Sequence, residues 1–506
     1  MLIRALVLLL ATLLALLPTW LRSDWDGTEG RRVQIALEMM RGDNWMIPML
    51  GGEPTWAKPP LHYWLLMLCT KCFGLNYMAL RLPAVLAAFA SALIAGELLR
   101  SRFGAATGWV GAFGMICSPM VVFLWPTAEI DPLFASLTGL SIWLLSTGVA
   151  SERRLQLVIG GLVAGLAFLQ KGPPYFLFAI GVYLVWFRHR RMRWALWHFL
   201  PMAIVIAAYF APLWLWYVDP QSMLKVVNEE SIGRIAYFQM RHLSESPDFW
   251  LRAIMVVLPF GFWCFWEWRG ARDARMGSDD LALRMCSGGA VLAVVLLTCF
   301  PGRPTRYLLP NVMLFTFAVA PAVAHFFRHR GTVPSFARGV LWTFGFLGSA
   351  ALIAIPFVPR AGDASVGLAL AAAMMPLVVR RPSHVVLAAL ILPVVGSWTV
   401  GLERSLRWSE TKRSTVAPGQ LMRRELDELG VTGDIGSYGH IDSCVLLATG
   451  LWVEGHELGS RIPDTRWVLQ EDSSRSPMSE KQYPQRWRLA LPHKTFVLRE
   501  RAKQAK

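Results

Sequence analysis

Apolar runs long enough to cross a bilayer recur along the chain near residues 3 to 22, 79 to 99, 104 to 122, 131 to 150, 155 to 170, 174 to 187, 195 to 217, 249 to 268, 281 to 299, 306 to 327, 337 to 357, 365 to 379 and 385 to 401. A helix needs about 20 apolar residues to cross the hydrocarbon core, so the pattern predicts an all-α polytopic domain of about 13 transmembrane helices. The first run, LIRALVLLLATLLALLPTWL, has no small-x-small cleavage site and reads as a retained span. A further run from Pro60 to Leu75 is short, carries His62 and Lys71 and follows a Pro pair. It is expected to be an amphipathic helix in the interface, where Tyr63 and Trp64 are at home.

Charge sets the direction of the spans. With 60 to 75 left out of the count, Arg100 and Arg102, Arg153 and Arg154, the cluster Arg188 to Arg193, Arg269 to Arg275, Arg328 and Arg330, and Arg380 and Arg381 all fall on one side. Counting that run as a span would send all of them outside while Arg4 stayed in, against the positive-inside rule. A multi-pass inner or plasma membrane protein is expected, with a cytoplasmic amino terminus and an extracytoplasmic carboxyl terminus. The outer face then receives a long first loop, 23 to 78, a second at 123 to 130, a tight turn at Lys171 to Pro173, a loop at 218 to 248, the link Pro301 to Thr305, and the tail.

In the tail, PGQLMRRELDELG (Pro418 to Gly430) spaces Leu421, Leu426 and Leu429 as a helix does and closes on Gly. The runs VLLAT, RWVLQ and TFVLRE look like short strands. The expected organisation is a membrane domain over 1–401 and a small extracytoplasmic α/β domain over 402–506.

Composition narrows the class. At 55% hydrophobic and 17% charged residues, the chain is too apolar for an ordinary soluble enzyme of 506 residues. The net charge of +16 would suit a nucleic-acid binder, but the basic residues sit in loop clusters between apolar runs, which argues against that partner. Seven cysteines imply no disulfide framework. Cys117, Cys264, Cys286 and Cys299 read as buried apolar groups, and the CTKC pair, Cys69 and Cys72, as structural filler.

Asp26, Glu29, Asp131, Lys58, Lys171, Arg234 and Arg306 all fall on the outer side of this topology. Charges gathered near a bilayer surface are costly to desolvate unless they pair or serve a ligand. The stretch GTEGRRVQIALEMMRGDNWMIPMLGGEPTWAKPPLHYW resembles the first outer loop of lipid-linked-sugar glycosyltransferases of the C superfamily, the bacterial aminoarabinose transferases and the related protein O-mannosyltransferase group. The matching positions are Glu29, Arg31, Ile35, Ala36, Glu38, Met39, Gly42, Asp43, Trp45, Pro48, Lys58 to Leu61, Tyr63 and Trp64. AEIDPLFA around Asp131, FLQKGPP around Lys171 and RYLLP from Arg306 resemble later motifs of the family in the same order, so the resemblance covers about residues 1 to 330.

The resemblance implies an enzyme that takes a sugar from a polyprenyl-phosphate donor and places it on an envelope acceptor at the outer face. The alternative class for so many spans is a transporter or flippase of lipid-linked substrates. An enzyme of this kind needs cations at headgroup depth for the leaving phosphate, with Lys58, Arg31, Lys171, Arg306 and Tyr307 as candidates. It also needs a carboxylate to take the acceptor proton: Glu29, Asp131 or Asp26. One inverting displacement requires no covalent carboxylate intermediate. Glu129, Glu230 and Arg234 are candidate substrate contacts. The pattern departs from the family at Thr28, where an Asp is usual, at Ser231 in place of a His, and at Ala57, where a Glu that can ligate a metal usually precedes the Lys. No cofactor is expected, and Ala57 argues against a divalent metal.

Overall fold

The computed structural model describes residues 2–21, 28–42, 45–188, 194–217, 249, 253, 256, 278–299, 305–329, 416–431, 435–438, 453–454, 466–471, 482–490 and 495–500. Asp26, Glu230, Arg234, Cys264, the VLLAT run, the runs at 337–357, 365–379 and 385–401, and most of 249–268 lie outside the described residues. The chain divides into two compact units. One comprises Met1–Leu21, Ala57–Leu61 and Arg81–Glu403, the other Arg22–Trp56, His62–Leu80 and Arg404–Lys506.

The helices in chain order are α1 (Leu2–Trp20), α2 (Glu29–Arg41), α3 (Leu61–Phe73), α4 (Tyr77–Phe103), α5 (Ala105–Ile116), α6 (Pro119–Leu124), α7 (Asp131–Ser151), α8 (Arg154–Lys171), α9 (Pro174–Arg188), α10 (Ala195–Pro212), α11 (Ser278–Thr298), α12 (Leu309–His329) and α13 (Val416–Glu428). A π turn, Leu213–Tyr217, continues α10, and a 3-10 turn, Thr305–Leu308, leads into α12. Among the described residues, six helices are long and apolar enough to cross a membrane, and Leu2–Leu17, Ala105–Ile116 and Pro174–Arg188 are shorter apolar helices. The run at 104 to 122, expected as one span, is two helices. Ser118 is extended (φ −62°, ψ 130°) ahead of Pro119, as the residue before a proline prefers, and α5 has already stopped at Ile116. The 60 to 75 run forms α3, whose 13 residues are too short to cross.

Close approach of backbones organises the membrane unit. Gly161 and Gly165 are four apart on α8 and face α10. A Cβ on Gly161 would lie 2.1 Å from the His198 carbonyl oxygen, and one on Gly165 would lie 2.5 Å from Val205 Cβ. Helices in lipid gain little from hydrophobic burial against each other and rely on such contact. On α7, Gly139 leaves room for Met313 of α12, and one turn further Trp143 stacks on Phe317 with ring centres 4.4 Å apart. The two helices thus run in the same direction and in register, bringing their amino-terminal ends together.

In the other unit, β1 (Met49–Leu50) and β2 (Glu53–Pro54) form a hairpin. A second sheet, in the order β4-β3-β5-β7-β6, is built from β3 (Ile435–Tyr438), β4 (Val453–Glu454), β5 (Trp467–Glu471), β6 (Gln485–Ala490) and β7 (Thr495–Glu500). β3 is parallel to β4 and β5, while β7 is antiparallel to β5 and β6. The RWVLQ and TFVLRE runs are β5 and β7. Met422 and Leu426 of α13 share a core with Ile435, Leu469, Phe496 and Leu498. Gly430, at φ +66°, follows the helix as the sequence pattern predicts.

The β1–β2 turn has positive φ at both Gly51 and Gly52, as a tight hairpin requires. Glu38 of α2 clamps it, accepting from Gly52 N at 3.1 Å and from Gln34 Nε2 at 2.8 Å. Burial pushes the Glu38 carboxyl above its usual range, against the lowering pull of the Gly51 and Gly52 N–H groups, Gln34 and Arg41. A carboxyl raised in the folded state contributes stability that is fully present below its unfolded value and is lost as pH rises through the folded one. Thermal melts from about pH 4 to pH 7 should therefore show wild type losing stability relative to Glu38→Gln as pH rises. Parallel curves would contradict the burial argument.

Candidate functional site

The adjacent ends of α7, α8 and α12 carry the chemistry. α7 opens at Asp131 with Pro132 in its first turn, a favoured place for a residue lacking N–H. Gln170 Nε2 donates to the Ile130 carbonyl at 3.1 Å, tying the segment ahead of Asp131 to the last turn of α8. The next residue, Lys171, donates from Nζ to Asp131 Oδ1. The same ammonium lies 4.1 Å from the centre of the Tyr307 ring and 5.1 Å from that of Phe134. From the 3-10 turn, Arg306 brings Nε within 3.3 Å of Asp131 Oδ2 and Nη1 within 3.4 Å of Glu129 Oε1.

Two carboxylates face two cations here, and three of the four side chains are nearly sealed. Exposure is 3% for Asp131, 4% for Glu129 and 8% for Lys171, against 26% for Arg306. An effective cost of several kcal/mol for each buried ion is repaid only when charges meet at close range, as these do. Gly172 ends α8 at φ +88°, ψ −149°, a conformation essentially confined to glycine. A Cβ there would lie 3.9 Å from the ring of Pro59, so the Lys58–Pro59 segment passes beside the turn that presents Lys171. Lys58 itself is half-buried.

Glu29 and Arg31 belong to the other unit. Glu29, the first residue of α2, is fully buried. Arg31 is exposed, whereas Arg32 turns inward and donates from Nη1 to the Tyr63 hydroxyl at 3.2 Å. Arg31 is the residue the sequence motif singles out, and the structure adds Arg32 as the one held against Tyr63. Helical spacing contains the signal, because a residue three after Glu29 shares its face and a residue two after it does not. Gln170 was also missed, since a neutral side chain next to Lys171 carries no charge pattern.

Among the described residues, no group of three or more His, Cys, Asp or Glu side chains is arranged to hold a metal ion. Cys117, Cys286 and Cys299 are buried as expected, but Cys72 is exposed and Cys69 only half-buried. The CTKC pair therefore does not fill a core.

A family model described as dolichyl-phosphate-mannose-protein mannosyltransferase matches residues 57–216. The chain is 26% identical over 416 residues to an undecaprenyl phosphate-alpha-4-amino-4-deoxy-L-arabinose arabinosyl transferase of Pseudomonas savastanoi, covering 78% of this chain and 72% of that one. The counterpart from Edwardsiella ictaluri is 25% identical over 301 residues, and the match spans about half of each chain, 56% and 53%. Among solved structures, ArnT from Cupriavidus metallidurans bound to undecaprenyl phosphate superposes with a TM-score of 0.71 at 16% identity, over 99% of this chain and 98% of that one. Its apo form gives 0.63.

Proposed function

We propose that this chain, by its fold and its relatives a membrane glycosyltransferase of the lipid-linked-sugar kind, moves a sugar from a polyprenyl-phosphate donor to a hydroxyl or similar group of an envelope acceptor at the outer face. The observation that carries the reading is the close-set quartet of Glu129, Asp131, Lys171 and Arg306 at the adjacent ends of α7, α8 and α12, with all but Arg306 nearly sealed. Without substrate, the cations are engaged by carboxylates. The anionic phosphate of the donor competes for Lys171 and Arg306, and Lys58 beside Pro59 adds a third cation. Drawing these cations onto phosphate frees the Asp131 carboxylate, which then takes the proton of the attacking acceptor. The acceptor oxygen bonds to the anomeric carbon as the bond to phosphate oxygen breaks, with inversion. The leaving polyprenyl phosphate carries its new charge against the cations already in place.

Glu29, buried at the amino-terminal end of α2, is the second carboxylate of the reading, and Tyr307 holds Lys171 in place. The bundle is oriented with its amino terminus in the cytoplasm. The tail helix and five-stranded sheet form a small outer domain. The relatives named above have 4-amino-4-deoxy-L-arabinose as their donor sugar, but Ala57 in place of the usual Glu sets this site apart, so sugar and acceptor are to be found by assay. Purified protein in lipid nanodiscs, given undecaprenyl-phosphate-linked sugars, should release undecaprenyl phosphate only when an acceptor is present. Passage of intact lipid-linked sugar without cleavage would replace this reading with transport.

A further inference from the structure

Gln170 and Lys171 are neighbours at the end of α8, and they hold neighbours at the start of α7. Lys171 Nζ pairs with the Asp131 side chain. Gln170, itself fully buried, donates from Nε2 to the main-chain carbonyl of Ile130 at 3.1 Å. The same carbonyl accepts from Phe134 N at 3.2 Å, the first hydrogen bond of α7, so both of its lone pairs are engaged. Ile130 stands at the cap position of α7 and has no polar side chain with which to fix the helix start. Gln170 supplies that fixation from another helix.

The stretch that leads to Asp131 needs such a tie. Residues 125–130 form neither helix nor strand, yet every residue from Trp125 to Asp131 is buried. The far end of the stretch is held by Trp125, whose Nε1 donates to the Ala84 carbonyl at 2.9 Å. The near end has two links to α8, one an ion pair to a side chain and the other a neutral amide bonded to the main chain. These links respond differently to an arriving phosphate. An anion competes for the Lys171 ammonium and loosens its hold on Asp131, whereas the bond between the Gln170 amide and the Ile130 carbonyl joins two neutral groups and is left in place.

We propose that Gln170 is a positioning residue that keeps the Asp131 carboxylate in place while Lys171 turns to the donor phosphate, an inference that rests on the proposed function. A base works only within hydrogen-bond reach of the proton it takes, and a shift of about 1 Å can cost about 10²-fold in rate. Gln170→Met keeps the length of the side chain and removes the N–H that holds Ile130. Phe134 N–H still serves the Ile130 carbonyl, so Tm should stay close to wild type, and affinity for undecaprenyl phosphate should be unchanged. With undecaprenyl-phosphate-linked sugar and acceptor, kcat should fall by about tenfold to 10²-fold while KM for the donor moves little. In an Asp131→Asn background there is no base left to position, so adding Gln170→Met should lower the residual rate no further. Wild type and Asp131→Asn are assayed first. No donor cleavage by wild type would defeat the proposed function itself, and a near-normal rate in Asp131→Asn would remove Asp131 as the base and the anchor's purpose with it. Where both behave as proposed, three results would overturn this inference alone: unchanged kcat in Gln170→Met, the same fold-loss in both backgrounds, or a lowered Tm with loss of undecaprenyl phosphate binding, the mark of a purely structural tie.

Discussion

Asp131→Asn should lower acceptor-dependent release of undecaprenyl phosphate by about 10²- to 10⁴-fold, the range usual for losing a positioned general base. The substitution keeps the size of the side chain and an oxygen for Lys171, so a fold closely similar to wild type is expected. What it removes is a group able to accept a proton once the phosphate has drawn the cations away. Loss should appear in kcat more than in donor affinity, because Lys171 and Arg306, with one carboxylate fewer to hold them, remain available to phosphate. Glu29→Gln is the matched comparison. A near-normal rate in Asp131→Asn with a collapsed rate in Glu29→Gln would move the base to the first outer loop, and near-normal rates in both would remove these carboxylates from proton transfer.

Lys171→Met should destabilise the membrane unit by about 3–5 kcal/mol, the typical cost of removing one partner from a buried ion pair. The larger part of that cost is the carboxylate charge stranded in a dry site; the hydrogen bond from the ammonium is the smaller part. Asp131 is almost fully buried, and without Lys171 only Arg306 among the described residues, itself partly exposed and shared with Glu129, remains to balance it. Activity should fall as well, since the ammonium that meets the leaving phosphate is gone. Combining Lys171→Met with Asp131→Asn separates the two effects, because neutralising both partners should recover most of the stability and none of the activity. Thermal melts and turnover of the four proteins check this. Additive losses of stability would show that the two side chains do not depend on each other.

The site was legible to unequal degrees along the chain. Asp131, Lys171 and Arg306 stand at the ends of apolar runs, where a charge is conspicuous, and all three meet in the structure. Arg31 and Arg32 are adjacent and identical in type, so only the rotation of α2 decides that Arg32 reaches Tyr63 while Arg31 is exposed.

The broad architecture needed no coordinates. Hydrocarbon thickness and the cost of bare backbone polar groups in lipid force long apolar runs into helices, so length and hydropathy alone identify a multi-pass helical protein. The break at Ser118–Pro119 follows from local sterics, although hydropathy passed over it. Other features depend on residues far apart in the chain. Lys171 meets Asp131 and Arg306 because α7 and α12 run in register through Gly139, Met313, Trp143 and Phe317, and because Gln170 ties the end of α8 to the segment ahead of α7. Pairing depends on ångström distances between separate helices, and one sequence carries no record of which charges end up close enough to neutralise each other.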